Sequence, residues 1–555
     1  MDNGWSSPFN RWAYKSLHGQ VIEHMTSNIL PPLIGAALCY VLYHAAQLVY
    51  RKFTHPLRNM LGPKNPSYLF GNHKQLMTDG QIARQWRQEF GPNFILKGIF
   101  SISRLHTSDL KALNHVANNP TVYQRVPAVR EITRHLLGDG LLSVEPDDHQ
   151  RQNHAFGVSQ IRIVTEIFVE KAVELRGVWT SELAQQSKAP GVIDVLEGLR
   201  RTTLNIIGKA GFNHEFNALD TTGKPNELNE VFTELFHTKA AQRNGAFRGM
   251  RGVIPALRIL PLPGQKLVDA SRRKMLAISA QIVADSKRAF SGSEVEKDLN
   301  SNRDLVSVLL KANMSTDLPP SHQMSDEEIV SQIPTFLFAG HETTSSASAW
   351  ALHALSLNID VQTKLREELF TLSTENPTTE ELNSLLYLDS VVKETLRVHS
   401  PVAAIVRMAM QDDMLPLATP YIDNSGKSHD TLLIPKGQII HVPISIVNTD
   451  TEVWGPDAAE FRPERWENVP AAVKEVPGVM PNLLTFFAGP TNCIGFRFSV
   501  TELKALLFIL VRGFEFAPTV PKGGIGPTGG LQTPTVLADS EKGTSLPLSV
   551  QVYNA

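Results

Sequence analysis

One segment near the middle of the chain, MSDEEIVSQIPTFLFAGHETTSSASAWALHALSLN (324–358), most limits the folds open to this sequence. Ser325 is followed three residues later by Glu328, a capping-box pattern that predicts the start of a helix. From Ile329 onward the apolar residues are not confined to one helical face, which is typical of a helix buried on all sides. We therefore expect this helix to lie at the centre of a large domain that surrounds it.

Polar residues interrupt the apolar pattern of this helix at Gly340, Glu342 and Thr343. A glycine and an acid in a helix interior both cost stability, so packing alone is a poor explanation for them. A zinc-protease helix would need a second histidine four residues after His341, and that position is Ser345. The zinc interpretation is therefore excluded.

The rest of the chain is predicted to be mainly helical with a minor β component. Apolar residues recur at helical spacing in 161–186, 272–290 and 361–373, and short strand-like runs occur at 431–435 and 438–445. With 42% hydrophobic and 19% charged residues, the 555-residue chain can bury a large core. No internal repeat divides it, so we expect one large globular unit.

Charge and cysteine content exclude several classes of protein. The chain has 53 Lys and Arg against 55 Asp and Glu, a net charge of -2, so no nucleic-acid partner is expected. Its two cysteines, Cys39 and Cys493, lie in unlike segments. A disulfide framework and a structural zinc site are therefore not expected.

Cys493 stands among glycine, proline and phenylalanine in FFAGPTNCIGFRFS (486–499). One interpretation is a buried free cysteine that packs as a small hydrophobe. The other is a thiolate held as a nucleophile or metal ligand, and the surrounding residues favour it. Gly489 and Gly495 allow a tight turn and the close approach of a flat ligand, and amides of such a loop can donate to a sulfur.

The N-terminal run 29–50 contains 22 residues without a formal charge. As a helix it would be roughly 33 Å long, enough to cross a bilayer core. Charges before this run cancel while basic residues such as Arg51 and Lys52 follow it, so the positive-inside rule puts the bulk of the protein in the cytosol. A signal peptide and a buried core helix are the alternatives. The Pro- and Gly-rich stretch 51–72 predicts a stiff connector.

A possible ion-pair network joins two segments toward the C-terminus. Glu394 and Arg397 in KETLR are three residues apart and share a helical face, and Arg465 in FRPERW is a candidate third member. The alternative is a surface pair that contributes little to stability. The apolar context of KETLR favours a buried structural network.

Together these segments resemble the cytochrome P-450 superfamily of haem-thiolate monooxygenases, in particular its membrane-anchored, fungal-like members. AGHETT (339–344) resembles the oxygen-activating part of the family's central helix, and KETLR (393–397) resembles its E-x-x-R helix. FRPERW (461–466) resembles the partner of that helix, and FFAGPTNCIG (486–495) resembles the haem-binding loop. The resemblance covers essentially the whole chain after residue 50.

The resemblance implies the cytochrome P-450 fold, a mainly α structure with minor β in which a large helical domain joins a small β-rich region behind an N-terminal transmembrane helix. It implies a single-pass protein of the endoplasmic reticulum membrane with a cytosolic catalytic domain. The expected division is an extra-cytosolic segment at 1–28, an anchor at 29–50, a connector at 51–72 and a haem-thiolate catalytic domain at 73–555.

The resemblance also implies a reaction: insertion of one oxygen atom from O2 into a hydrophobic organic substrate, by hydroxylation or epoxidation, in secondary (for example terpenoid) metabolism or detoxification. Cys493 would be the axial thiolate of haem b, whose iron then favours O–O cleavage. Thr343 would deliver protons, and Glu342 would link it to solvent. We recognise no dinucleotide-binding glycine fingerprint, so electrons are expected from NADPH through a partner flavoprotein reductase.

The haem-carboxylate partners depart from the family pattern. Thr491 stands two residues before the cysteine, where the family usually has an arginine. His149 takes the place of a usual aromatic residue, but Asn153 stands where an arginine is usual, and this segment is about one helical turn short, through a true deletion or an error in the gene model. Arg407 matches another carboxylate-binding position, and Arg151 is a further candidate.

Two other classes of function remain open. A haem-thiolate isomerase or dehydratase would need neither Thr343 nor a reductase, and a non-catalytic haem-binding protein would tolerate the missing arginines. The predicted substrate-pocket walls are 121–133, 232–263, 402–406 and 531–533. The small apolar residues of 402–405 favour a bulky hydrophobic substrate, such as a terpenoid, a steroid-like skeleton or an aromatic xenobiotic.

Overall fold

The structure is a computed structural model that describes residues 53–78, 82–143, 157–186, 190–220, 265–292, 304–307, 324–528 and 530–554, with isolated positions between 32 and 50 and at 231 and 310. Its helices with defined bounds are α1 (His73–Thr78), α2 (Ile82–Phe90), α3 (Leu110–Asn118), α4 (Pro127–Leu137), α5 (Val158–Gln185), α6 (Val195–Phe212), α7 (Gln265–Gly292), α8 (Asp326–Leu357), α9 (Ile359–Leu369), α10 (Thr379–Ser384), α11 (Leu386–Val398), α12 (Ile444–Val447), α13 (Thr451–Trp454) and α14 (Phe496–Gly513).

The strands form several small sheets. They are β1 (Asn93–Lys97), β2 (Ser103–Thr107), β3 (Tyr123–Arg125), β4 (Gly191–Asp194), β5 (Ile405–Ala409), β6 (Asp413–Ile422), β7 (Ser428–Ile434), β8 (Ile439–Val442), β9 (Phe514–Pro518), β10 (Ile525–Thr528), β11 (Thr533–Val536) and β12 (Pro547–Val552). The largest sheet has the order β1-β2-β8-β5-β3, and β4-β12-β9 form a three-stranded sheet. The β6-β7 and β10-β11 pairs are two-stranded.

The central helix α8 begins at the predicted capping box. The Glu328 N–H donates to Ser325 Oγ at 3.2 Å, and the Ser325 N–H donates to the Glu328 carboxylate at 2.6 Å. Residues on every side of the helix are buried, as the sequence pattern predicts. Gly340 has a packing role that we did not expect, because a Cβ there would lie 3.0 Å from the Ile207 side chain on α6.

Most of the other predicted elements are present, with shifted ends. Helices α5, α7 and α9 cover the three periodic segments, and β7 covers the first strand-like run. The second run, 438–445, is only partly extended. Strand β8 ends at Val442 because Pro443 lacks a donor and serves as the N-cap of α12.

The predicted ion-pair network is present and buried. Arg397 Nε and Nη2 each donate to the Glu394 carboxylate at 2.8 Å, in a bidentate arrangement. Arg465 Nε reaches the same carboxylate at 3.4 Å, and the Trp466 indole N–H donates to it at 3.0 Å. All three charged side chains are buried. The network ties α11 to the segment after α13.

The chain divides into two compact units, Met1–Met60 and Leu61–Ala555. The second unit begins earlier than the predicted boundary at residue 73. The Ile95 N–H donates to the Leu61 carbonyl at 2.9 Å, and the Asn72 N–H donates to the Lys97 carbonyl at 2.6 Å. These bonds to β1 and its end make the last part of the predicted connector a part of the larger unit.

The predicted anchor at 29–50 lies largely outside the described residues, and the segment 1–28 lies wholly outside them. Within the part of the chain that the structure describes, no helix combines the length and apolarity needed to cross a membrane. The described positions between 38 and 50 are helical, and Leu38, Tyr40 and Leu42 are each more than half exposed. The anchor therefore stays a prediction.

One glycine-rich stretch matches the dinucleotide-binding fingerprint in its spacing but not in its structural context. Residues 524–529 do spell G-x-G-x-x-G. However, β10 lies inside this stretch and pairs with β11 in an antiparallel arrangement, so the motif does not lead from a strand into a helix. A dinucleotide diphosphate needs that helix N-terminus. Gly526 lies within this antiparallel β-pair.

Candidate active site

Cys493 lies in a loop just before α14, and the loop is fixed by its own backbone. The Cys493 N–H donates to the Phe486 carbonyl at 2.9 Å. Gly489 has a φ of +66°, and a Cβ there would lie 2.2 Å from the Ala117 carbonyl oxygen at the end of α3. This glycine is needed for a left-handed turn and for close packing against a neighbouring helix, whereas we had expected it to make room for a ligand.

A cavity of about 390 Å³ separates the Cys493 loop from the central helix. Cys493 and Phe486 line one side, and Ala339, Gly340 and Thr343 of α8 line the other. Most of the wall is apolar. The volume is within the range of roughly 300–1,000 Å³ that is usual for small-molecule sites.

The Cys493 thiol is exposed to this cavity but is shielded from bulk water. Burial raises the pKa of the thiol to about 11, and a hydrogen bond from the Gly495 N–H to the sulfur acts in the opposite direction. An amide donor on a cysteine sulfur favours the thiolate. The predicted donation from the loop to the sulfur is therefore present at Gly495. A cation in the cavity would be needed to hold the thiolate at neutral pH.

Thr343 faces the same cavity from α8, and its hydroxyl is oriented by the helix. Its Oγ1 donates to the Ala339 carbonyl at 2.7 Å. Because that bond uses the only O–H of the side chain, the oxygen offers lone pairs to any other donor. In this rotamer Thr343 can hold a donor such as a water molecule against the cavity.

Glu342 is not part of the cavity wall among the described residues. Its side chain is buried, with a carboxylate oxygen 3.5 Å from His341 Nδ1. The structure therefore brings Thr343 and Cys493 to one cavity and leaves Glu342 behind the wall. The proposed link from Thr343 through Glu342 to solvent stays a prediction.

Two arginines lie at the edge of the cavity, and one of them was not expected. Arg125 on β3 and Arg407 on β5 are directly opposite each other in the antiparallel register, and both line the cavity. Arg125 Nη1 donates to the Leu141 carbonyl at 2.7 Å, and Arg407 Nη1 is 3.2 Å from the Val406 carbonyl. No carboxylate in the described ranges forms an ion pair with either arginine.

The charges of this pair are poorly compensated. Burial, and then the charge of Arg125, lower the pKa of Arg407 to about 9. Burial, and then the charge of Arg130, lower the pKa of Arg125 to about 10. Like charges directly opposite in a sheet are unfavourable. Two such cations beside a cavity favour an anionic ligand between or above them.

The structure describes only some of the other positions considered as partners of the haem carboxylates. Thr491 lines the cavity, so the position that is usually an arginine does face the site. His149 and Arg151 lie outside the described residues. Arg125 was missed, although it lies within the segment 121–133 that was predicted to wall the pocket. The residues around Arg125 in the sequence do not indicate its role, because the role depends on pairing with β5, which is far away in the chain.

The chain matches the family model described as Cytochrome P450 over residues 61–536. It is 44% identical over 538 residues to "Cytochrome P450 monooxygenase 205" of Postia placenta, with 95% of this chain and 98% of that protein covered. It is 43% identical over 542 residues to "Cytochrome P450 monooxygenase 128" of the same organism, covering 95% and 99%.

The chain belongs to the cytochrome P-450 family. A further relative, "Cytochrome P450 monooxygenase claQ" of Ampulloclitocybe clavipes, is 35% identical over 483 residues, covering 85% of this chain and 88% of that protein. The resemblance inferred from the four motifs is thereby confirmed, as is the mainly helical cytochrome P-450 fold with some strands. The protein is an oxidoreductase of the cytochrome P-450 monooxygenase class.

The residues of the cavity fit the haem that the cytochrome P-450 family implies. A haem is a flat, largely apolar group with an iron centre and two carboxylates. The cavity offers a cysteine sulfur with an amide donor at Gly495 and small residues on the opposite helix. It also offers two guanidinium groups, partly buried Arg125 and buried Arg407, whose described surroundings contain no paired acid. The donor set therefore matches each part of the group.

The predicted substrate walls of this cytochrome P-450 also surround open space. Val402 lines the smaller cavity, and Ala403, Ala404 and Ile405 line a larger one of about 1230 Å³. Part of the segment 121–133 lines the larger cavity, and Leu531 is bridged to Val402. The segment 232–263 lies outside the described residues.

Proposed function

We propose that this protein inserts one oxygen atom from O2 into a hydrophobic organic substrate, with Cys493 as the ligand of the haem iron. The observation that carries the proposal is that Cys493 and Thr343 line opposite sides of one apolar cavity of about 390 Å³. A thiolate site with a hydroxyl across from it suits oxygen activation. An isomerase or dehydratase would have no need of that hydroxyl.

When bound, a thiolate-ligated haem supplies activation of dioxygen and transfer of one oxygen atom to the substrate. Cys493 contributes the thiolate, and the Gly495 N–H stabilises the negative charge on its sulfur. Arg125 and Arg407 would hold the haem carboxylates by charge-assisted hydrogen bonds. His149 and Arg151 are proposed as further partners of these carboxylates.

Thr343 positions a proton donor at the cavity. Its oxygen accepts a hydrogen bond from a water molecule while its own O–H remains on the Ala339 carbonyl. Glu342 is proposed to resupply protons, which requires its side chain to turn away from His341. The mainly apolar wall offers few other polar groups that could pass a proton to the cavity.

Electrons are proposed to come from NADPH through a separate flavoprotein reductase. The support is that β10, which lies inside the glycine motif at 524–529, pairs antiparallel with β11, and that we identify no nucleotide site among the described residues. We propose that the reductase docks on the surface near Cys493, the side from which electrons have the shortest path. Residues 29–50 would hold the enzyme on the cytosolic face of the endoplasmic reticulum membrane.

The substrate is proposed to be a bulky hydrophobic molecule, such as a terpenoid, processed in secondary metabolism or detoxification. The support is the size of the larger cavity and the small apolar side chains of 402–405 that line the two cavities. A compact polar metabolite would leave much of this surface unsatisfied.

A ligand substitution tests the proposal. Cys493→Ser should abolish the red-shifted Soret band of the reduced carbon monoxide complex, because a serine oxygen cannot replace thiolate donation. Cys39→Ser is the matched control and should keep the band. Retention of the band in Cys493→Ser would refute the ligand assignment. Product formation by the wild type without NADPH or reductase would instead favour an isomerase.

A further inference from the structure

The larger cavity, of about 1230 Å³, has a strongly basic wall. Five Arg or Lys side chains and four His side chains line it among the described residues, against one carboxylate, that of Glu460. It shares Arg125, Leu142, Ile405 and Arg407 with the smaller cavity, so the two spaces adjoin. The haem carboxylates account for Arg125 and Arg407, but neither they nor a purely hydrophobic substrate would explain the other cations of this wall, Arg84, Arg104 and Lys522.

Arg104 on β2 is the least satisfied of these groups. Its Nε is buried and has no hydrogen-bond partner among the described residues, and no carboxylate there forms an ion pair with it. The guanidinium lies against Gly98, where a Cβ would be 2.5 Å from Nε. A buried N–H without an acceptor, on a cation with no acid beside it, costs stability unless a ligand supplies the acceptor.

Two histidines are close to Arg104 and line the same cavity. The charge of Arg104 contributes to lowering the pKa of His73, after burial, and it also lowers the pKa of His441, which burial brings to about 4. Neither imidazole therefore competes with the arginine for positive charge at neutral pH. Both remain available as neutral hydrogen-bond donors.

The neutral form of His441 has a preferred tautomer. Its Nδ1 is 3.1 Å from His106 Nδ1, so one ring donates and the other accepts. His106 Nε2 is buried and has no partner in the described ranges. An orphaned acceptor is less costly than an orphaned donor, so His106 carries its proton on Nδ1. His441 then carries its proton on Nε2, which is free to donate to a ligand.

This basic group is separate from the arginines assigned to the haem. Successive residues of a strand face opposite sides of a sheet. Arg407 is paired across the sheet with Ile440, and Ile440 with Leu105, so these three side chains face the same side of the sheet. Arg104 precedes Leu105 in β2 and therefore faces the opposite side. The wall of the larger cavity includes residues from both faces. A ligand held by Arg104 must therefore pass round the end of these strands to approach the smaller cavity, which requires an elongated molecule.

We propose that the larger cavity binds an elongated apolar molecule that carries a carboxylate, with the acid group held by Arg104 beside His73 and His441. Its apolar part lies along Ala403, Ala404 and Ile405. The proposal rests on the proposed function in one respect, namely that this molecule is the substrate to be oxidised. It narrows the substrate class from hydrophobic compounds to hydrophobic acids.

Binding to the haem-loaded full chain tests the proposal without turnover. Equilibrium dialysis with dodecanoic acid and with its uncharged methyl ester should give an affinity for the acid about tenfold higher or more, as expected for a charge-assisted hydrogen bond. Equal affinity for the acid and the ester would overturn the proposal. Excess inorganic phosphate should not displace the acid, and displacement would mean that the site binds small anions instead.

Substitutions locate the acid site. Arg104→Gln should lower the affinity for dodecanoic acid about tenfold and leave the methyl ester unchanged. Gly98→Ala, which displaces the guanidinium but keeps the charge, should also weaken binding of the acid and covers the case in which Arg104→Gln fails to fold. Lys522→Gln, at an exposed lysine of the same wall, is the matched control and should change neither affinity. An equal loss of acid binding in the Lys522 variant would refute the assignment to Arg104.

The outcome is distinguishable from that of the proposed function. Dialysis needs no reductase, NADPH or oxygen. Selective binding of the acid with no oxidised product would support the acid site and count against the monooxygenase proposal. Oxidation of neutral compounds with no preference for acids would support the monooxygenase proposal and count against the acid site.

Discussion

Arg125 and Arg407 lie directly opposite each other on antiparallel strands, the first partly buried, the second buried, and neither paired with a described carboxylate. This arrangement opposes folding of the haem-free chain, because the two charges repel each other in a poorly solvated site. Two haem carboxylates would convert the same pair into a source of stability. The pair should therefore destabilise the haem-free protein and stabilise the haem-loaded protein.

Arg125→Gln should speed the loss of haem about tenfold or more and should raise the stability of the haem-free protein. Haem is lost faster because a charge-assisted hydrogen bond worth roughly 1.5–3 kcal/mol is removed. The haem-free protein becomes more stable because the repulsion between the two arginines is removed. Haem transfer to apomyoglobin and urea unfolding of the haem-free chain measure the two. Thr491→Arg should restore haem retention in the Arg125 variant. A variant that destabilised both forms alike would show a structural role only.

Glu394→Gln should lower the free energy of unfolding by about 3–5 kcal/mol, because it leaves the buried guanidinium groups of Arg397 and Arg465 without their shared anion. Glu197→Gln removes a half-exposed ion pair with Arg201 and should change stability by less than about 1 kcal/mol. Urea titration followed by tryptophan fluorescence compares the two variants. Similar small losses in both would contradict a buried network.

Thr343→Ala should keep haem and substrate binding but should lower the fraction of electrons that reach product severalfold, with hydrogen peroxide released instead. The hydroxyl that holds a proton donor at the cavity is lost, whereas the apolar wall remains. Product, peroxide and NADPH are measured together in the presence of reductase. Thr343→Ser keeps the hydroxyl and should retain most of the coupling. Identical coupling in wild type and the alanine variant would remove Thr343 from the mechanism.

His399 should make stability fall as the pH drops below about 6.5. Burial lowers its pKa to about 3 in the folded protein, and the neighbouring positive charges of His353 and Arg397 act in the same direction. The unfolded chain therefore takes up a proton that the folded chain rejects, and stability is lost between pH 6.5 and 3.

His399→Phe keeps the stacking on the Trp350 ring, which is parallel to His399 within 3°. This variant should lose roughly 1 to 2 kcal/mol less than the wild type between pH 7 and pH 5. Urea unfolding at the two pH values measures the difference. Equal losses would show that other groups dominate the acid response.

Removal of residues 1–52 should release much of the protein from membranes and leave haem incorporation intact, since the larger compact unit begins at Leu61. Sedimentation of membranes and the carbon monoxide spectrum test the two halves of this expectation. Leu38→Lys combined with Leu42→Lys in the full chain should have the same effect, because both side chains are exposed apolar groups. Loss of haem and aggregation would instead make 29–50 a core helix.

Local patterns determined a large part of this protein. The start of α8 follows from Ser325 and Glu328, and the pairing of Glu394 with Arg397 follows from their spacing on one helix. Both depend on residues within one helical turn, so the sequence alone specifies them. The four motifs likewise indicated the family before any fold was seen.

Only the tertiary structure decided which distant residues share a site. The opposition of Arg125 and Arg407, and the proximity of Arg104 to His441, arise from strand pairing between segments far apart in the chain. No periodicity records such a pairing, because register is set by packing of the whole sheet. The same holds for Gly340, whose missing side chain makes room for a residue of another helix. Interactions within one helical turn could be predicted from the sequence, whereas contacts between residues on different strands could be identified only from the tertiary structure.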